Sequence, residues 1–304
     1  MIRVSQTFDF RHGVDVVAHN HEIRTPGFIL SLGQQWGGMF DDYVETMSER
    51  SRKWAVLHIT LRGHVRLEGC NTASEHASGT VFFGYGMGSV GLRSAPLSLA
   101  CEGLTIAVLA PENLESKLCY VDRAPPELLR LAYRLAEHLQ KLDEDEGLLV
   151  LVLRQFLASL NAWGVAAFPA EVVMESLARP TSAEDQRLAH VLSNAMTRLD
   201  QNPTLTDLAN RMGLGERQTN RRMQALLETY YASHASWASY VAASRIGAAI
   251  TISSHPDANL ETIAKLAGYR RTTSLCHAFA DAGLRSPAAV GKALRSGDGL
   301  RALK

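Results

Sequence analysis

Two runs of hydrogen-bonding side chains stand out in the last third of the chain. ERQTNRRMQAL (216–226) carries Arg217, Gln218, Asn220, Arg221 and Arg222, and RRTTSLCHAFAD (270–281) carries Arg270, Arg271, Thr272, Thr273 and His277. Arginine can form paired hydrogen bonds with a guanine edge, and asparagine or glutamine can do the same with adenine. Threonine and histidine add single bonds. Lined up on one face of a helix, such a set could read base edges in a major groove.

Such side chains need a scaffold, and a repeat supplies one. TLTDLANRMGLGERQTNRRMQAL (204–226) and NLETIAKLAGYRRTTSLCHAFADAG (259–283) align at an offset of 55 residues, which superposes Leu205 on Leu260, Ala209 on Ala264 and Gly213 on Gly268. Thr204 and Asn259 are good N-caps, and Asp207 stands where a capping box needs its acid. The alanines are small residues where two helices must approach closely. The glycines follow the first helix, where a left-handed turn is required. Each copy therefore predicts a helix-turn-helix. SHASWASYVAASRIGAAITIS (233–253) predicts a long helix joining them.

The remainder has a different texture. FILSLG (28–33), WAVLHITLRG (54–63), HVRLEG (64–69), TVFFGYG (80–86) and LTIAVLAP (104–111) read as short strands at the spacing of a barrel or sandwich. After Pro125-Pro126, residues 126–142 read as an amphipathic helix, and LLVLVLRQFLASLNAW (148–163) as a second, more apolar one. Residues 164–183 read as a linker. The net charge of zero conceals an asymmetry: residues 183–304 hold 15 Lys+Arg against 10 Asp+Glu, and residues 1–182 hold 16 against 21. A basic module joined to an acidic one suits a protein with one end on phosphates. The four cysteines form no CxxC pair, which argues against a zinc finger. No apolar run is long enough to span a membrane, and no signal-peptide pattern opens the chain, so a cytoplasmic location is expected.

The tandem motif resembles the AraC/XylS regulators. LTDLANRMGL, Arg245-Ile246 with Ala249 on the joining helix, ETIAKLAGY, Phe279 and Ser286-Pro287 carry the resemblance over about 185–291. WAVLHITLRGHVRLEG (54–69) is similar to the strand pair of a family sensor domain. The resemblance implies an α+β, two-domain chain: a cupin-like β-barrel with two helices over 1–165, a linker over 166–183 and an all-α DNA-binding domain over 184–304. It implies a DNA-binding transcription regulator, an activator in many members, that is no enzyme. Its partners would be double-stranded DNA, RNA polymerase, an effector at the N-terminal domain, and a second copy of the chain. Each monomer would lay recognition helices in successive grooves ~34 Å apart. The chain departs from the pattern at Gly215, Thr219, Met223, Arg271, His277 and Ala282-Gly283-Leu284, so the second motif is the less regular.

Three further patterns bear on chemistry. Gly13-x5-His19-x-His21 opens like a cupin metal motif, but Thr25 and Pro26 occupy the glutamate position and Glu22 comes too early. Neither metal nor cofactor is expected, which weakens the alternative of a metal-dependent cupin enzyme. The spacing of Arg62 and Arg66 resembles the Arg-x-x-x-Arg of proteins that bind cyclic di-GMP. Two arginines on one strand face could clamp a phosphate, and a solvated, ion-paired face is the simpler reading. GYGMGSVG (84–91) lacks the Lys-Ser/Thr of a phosphate loop. An effector-binding co-regulator without DNA binding is the remaining alternative.

Overall fold

The computed structural model describes residues 1–11, 13–14, 16–36, 54–69, 72–85, 93–96, 100–109, 117–141, 146–165, 170–231 and 236–296. Ten strands occupy the first part of the described chain: β1 (Ile2–Asp9), β2 (Val17–Thr25), β3 (Phe28–Trp36), β4 (Trp54–Arg62), β5 (His64–Gly69), β6 (Thr72–Ala77), β7 (Thr80–Tyr85), β8 (Arg93–Pro96), β9 (Ala100–Leu109) and β10 (Lys117–Arg123). Seven form an antiparallel sheet in the order β1-β2-β3-β9-β4-β7-β10, and three form a second sheet, β6-β5-β8. Among the described residues the sheets do not join into the closed barrel expected. The chain leaves the large sheet where the β4–β9 register shifts between Thr60 and Arg62, and it turns at Gly63, whose φ is +86°. That turn ends one strand and starts the next in the other sheet.

One face of the large sheet is covered by α1 (Pro126–Gln140), α2 (Glu146–Ala162) and α3 (Ala170–Ala178). Leu57, Ile59, Leu104 and Ile106 of the strands share a fully buried core with Leu128, Leu135, Phe156 and Val173. This packing explains the apolar stripe of α1 and the buried side of α2, whereas Leu148 and Leu151 on α2 stay exposed. α3 lies within the segment expected to be linker, and Val173 anchors it to the sheet.

The helical part comprises α4 (Ala183–Met196), a 3-10 turn at Leu199–Gln201, α5 (Leu205–Met212), α6 (Glu216–Leu226) ending in a π-helical turn at Leu227–Tyr231, α7 (Trp237–Ser253), α8 (Leu260–Leu266), α9 (Thr272–Asp281) and α10 (Pro287–Ser296). Its core includes residues from the other end of the chain. Ile2, Val4, Phe10, Val14 and Val16 are buried with Leu192, Met196, Met223, Ile250 and Phe279 in a single cluster. β1 lies along α4, with Ser193 Oγ donating to the Ser5 carbonyl at 3.4 Å. The sheet therefore has its first strand packed in the helical core.

Candidate nucleic-acid interface and adjoining chamber

α5 and α6 form the first helix-turn-helix. Thr204 Oγ1 accepts from the Asp207 amide at 3.2 Å, and Asp207 Oδ2 accepts from the Thr204 amide at 2.8 Å, closing a capping box. Thr204 Oγ1 also donates to Asp207 Oδ2 at 2.6 Å, and this bond, followed by the one from the Thr204 amide, holds the Asp207 carboxyl below the usual carboxylate range. Gly213 takes the left-handed turn at φ +67°. Thr206 Oγ1 donates to Glu216 Oε1 at 2.5 Å and ties the start of α5 to the start of α6. Gly215 is the N-cap of α6 and offers no side-chain cap.

On α6, Arg217, Gln218, Asn220 and Arg221 are all exposed, whereas Thr219, Met223 and Leu226 are buried. The residues at 219 and 223 that depart from the family pattern thus belong to the core side of the helix. Arg222 is placed differently from its neighbours. It is half-buried and forms an ion pair with Glu184 on α4, so in this conformation it braces α6. Glu184 was missed in the sequence because nothing local connects it with Arg222.

The second motif, α8 and α9, has a similar frame with a weaker start. Asn259 Oδ1 accepts from the Thr262 amide at 2.9 Å. Gly268 turns at φ +80°, and Arg271 caps α9 without a side-chain bond. Arg270, Arg271, Thr273 and His277 are exposed, Thr272 is half-buried, and Leu275 and Phe279 face the core. α7 fastens this motif through Arg245, which donates to Asn202 Oδ1 and lies 5.9 Å from the centroid of the Tyr269 ring. Burial pushes the Tyr269 hydroxyl up to about 12, so it stays neutral beside the guanidinium.

Behind these helices a chamber of about 290 Å³ separates the large sheet from α7. Its sheet wall includes Gln6, Asn20, Glu22 and His58, and its helix wall includes Ser244, Gly247 and Thr251. His58 Nδ1 shares a 2.9 Å hydrogen bond with Thr105 Oγ1, and its ring stacks on Phe82 with centroids 5.6 Å apart. Burial drives its pKa down to about 4, so the imidazole is neutral at pH 7. Sequence reading passed over His58 because a lone histidine in an apolar strand carries no motif.

His19 and His21 lie two apart on β2, but their Nδ1 atoms bond to Thr7 Oγ1 at 2.9 Å and Ser5 Oγ at 3.0 Å across the β1–β2 pair. Burial, followed by the neighbouring His19, lowers the pKa of His21. Arg62 is exposed at the end of β4. The Gly63 turn puts Arg66 on β5, in the other sheet, so Arg62 and Arg66 do not share one strand. The glycine-rich segment 84–91 falls largely outside the described residues.

No family model matches the sequence, and no curated protein matches it. Similar solved structures were found. ToxT from Vibrio cholerae O395 is 10% identical over 88% of this chain and 99% of its own, with a TM-score of 0.37. The AraC-like transcriptional activator CuxR is 15% identical over 74% of this chain and 88% of its own, with a TM-score of 0.28. The protein Ylba from E. coli is similar over 36% of this chain, at 12% identity and a TM-score of 0.24. The functional reading rests on the chain's own geometry.

Proposed function

We propose that this chain is a sequence-specific DNA-binding transcription regulator of the AraC type. The observation that carries the reading is the pair of helix-turn-helix units whose second helices, α6 and α9, hold Leu, Met, Thr or Phe inward and display Arg217, Gln218, Asn220, Arg221, Arg270, Arg271, Thr273 and His277 outward. α7 joins the two units, so their spacing is set by one helix. Each α6–α9 pair enters successive major grooves, and the first-turn amides of α5 and α8 bind phosphates. The chain is divided into a sensory part (1–165), a connector (166–183) and a DNA-binding part (184–304), with β1 crossing between them. RNA polymerase as partner, pairing with a second copy and activation follow from the resemblance alone, and a cytoplasmic location is part of the same proposal. No described helix is long and apolar enough to cross a membrane.

Effector control is part of the same proposal. The chamber has the sensory sheet as one wall and the helix joining both motifs as the other, so a molecule held there touches both parts at once. Mapping of bound DNA in cells, followed by gel-shift titration of a recovered site against salt, tests the reading. A saturable, sequence-dependent shift that weakens linearly in log salt is the expected result. Equal affinity for any sequence would overturn it.

A further inference from the structure

The chamber's lining narrows the chemistry of what it holds. No lysine or arginine is among the described residues that line it. The acidic residue among them, Glu22, accepts from Arg24 Nε at 2.5 Å and from Asn20 Nδ2 at 2.7 Å, and the ion-paired side chains are only 10% and 14% exposed. An anion entering here meets a carboxylate and, among the described lining residues, no lysine or arginine. A cation would have to break a mostly buried pair to gain a counter-charge. Both costs are large away from water.

The uncharged features point the other way. Phe8, Phe10, Ala18, Met196 and Ala248 make much of the wall apolar. Against this background His58 lies on the chamber wall, only 7% exposed, and its Nε2 atom is buried beside the chamber with no hydrogen-bond partner. A buried polar atom left unpaired is costly, and a ligand group can relieve it. His58 lies against Gly103, where a Cβ would come within 2.6 Å of Cε1 and 3.0 Å of Nε2. The bare backbone at 103 is thus what admits the ring. Gly33 on the sheet wall and Gly247 on the α7 wall also line the chamber, and a Cβ added at either meets no atom within 4 Å.

We propose that this chamber binds an uncharged, mainly apolar small molecule carrying one hydroxyl, carbonyl or amide group that hydrogen-bonds to His58 Nε2. The inference deepens the effector reading and rests on it for its purpose. The binding itself does not depend on DNA.

The test is titration calorimetry on the full chain at neutral pH with decan-1-ol, decanoate and decylammonium, all below their aggregation concentrations. Decan-1-ol is expected to bind saturably and about tenfold or more tighter than either ion. Gly33→Val and Gly247→Leu fill the chamber with residues that suit a strand and a helix, so both should fold and both should abolish alcohol binding. His58→Phe keeps the aromatic contact, removes Nε2 and should weaken the alcohol about tenfold. Absence of saturable alcohol binding, decanoate binding as well as the alcohol, or unchanged alcohol affinity in Gly247→Leu would each overturn the proposal. Gel shifts of the same proteins without alcohol separate the two readings. A retained shift with any of these results leaves the DNA-binding reading standing, and loss of the wild-type shift sinks that reading independently.

Discussion

Neighbouring arginines on one helix have different surroundings. Arg221 is exposed, while Arg222, one residue on, is turned toward Glu184. Replacing Arg221 with alanine should cost about 1–3 kcal/mol of specific binding if it makes a bidentate base contact, with little change in folding. An unchanged footprint and affinity would remove it from that role. His58 supplies a second residue-scale prediction. Its pKa falls from 6.5 in the unfolded chain to about 4 in the folded one, so the unfolded state binds the extra proton first. The contribution of the neutral ring is present above about pH 6.5 and is lost as pH falls toward 4, on the order of 3 kcal/mol in all. The melting temperature should fall across that window, and His58→Phe should flatten the fall. A parallel decline in both proteins would assign the effect to other groups.

At the scale of elements, the caps and turns were legible because their rules are local. Thr204, Asp207, Gly213, Asn259 and Gly268 do what their types and spacing predict. The two turn glycines nevertheless differ in a way no spacing reveals. A Cβ at Gly213 meets nothing within 4 Å, while one at Gly268 would sit 2.2 Å from the Leu199 carbonyl. Gly213→Ala should cost about 1 kcal/mol for its backbone conformation. Gly268→Ala should cost about 1–3 kcal/mol more, because backbone must shift. Thermal unfolding of both variants tests the ordering, and equal losses would contradict it. Strands were less legible. β1 and β2 are hard to read because their buried sets include Gln6 and Thr25, and the helices on which Ile2 and Val4 of β1 pack are distant in sequence. α3 reads as linker because its nine residues offer too short a period, and contact of Val173, Met174 and Leu177 with the sheet core fixes it. Arg62 and Arg66 fall on different strands for a related reason: the turn at Gly63 between them starts a strand of the other sheet.

The whole molecule is braced across its proposed division. Arg24 of β2 donates to the Tyr230 carbonyl just after the first recognition helix at 3.4 Å. A Cβ at Gly13 would press on Thr262 and Leu266 of the second motif. A fragment covering 184–304 would therefore uncover the surface on which Ile2, Val4 and Phe10 pack, and it should melt lower than the same region in the full chain. In the full chain, Val4→Asp puts an unpaired carboxylate into the helical core, and it should lower the unfolding midpoint and DNA affinity together. Retained DNA affinity in a destabilised Val4→Asp protein would show that the brace does not govern the motifs.

The packing of β1 against α4 also has a consequence in time. Ser5 and Ser193 are separated by 188 positions, so the strand leaves the ribosome well before the helix that covers it exists. At typical synthesis rates that interval is roughly 10–40 s. During it Ile2 and Val4 lack their final neighbours, and the edge of the sheet can be finished only after much of the remaining chain has been made. Pulse-labelled nascent chains should show the first strand protected late, making the start of the protein one of the last parts to reach its native state.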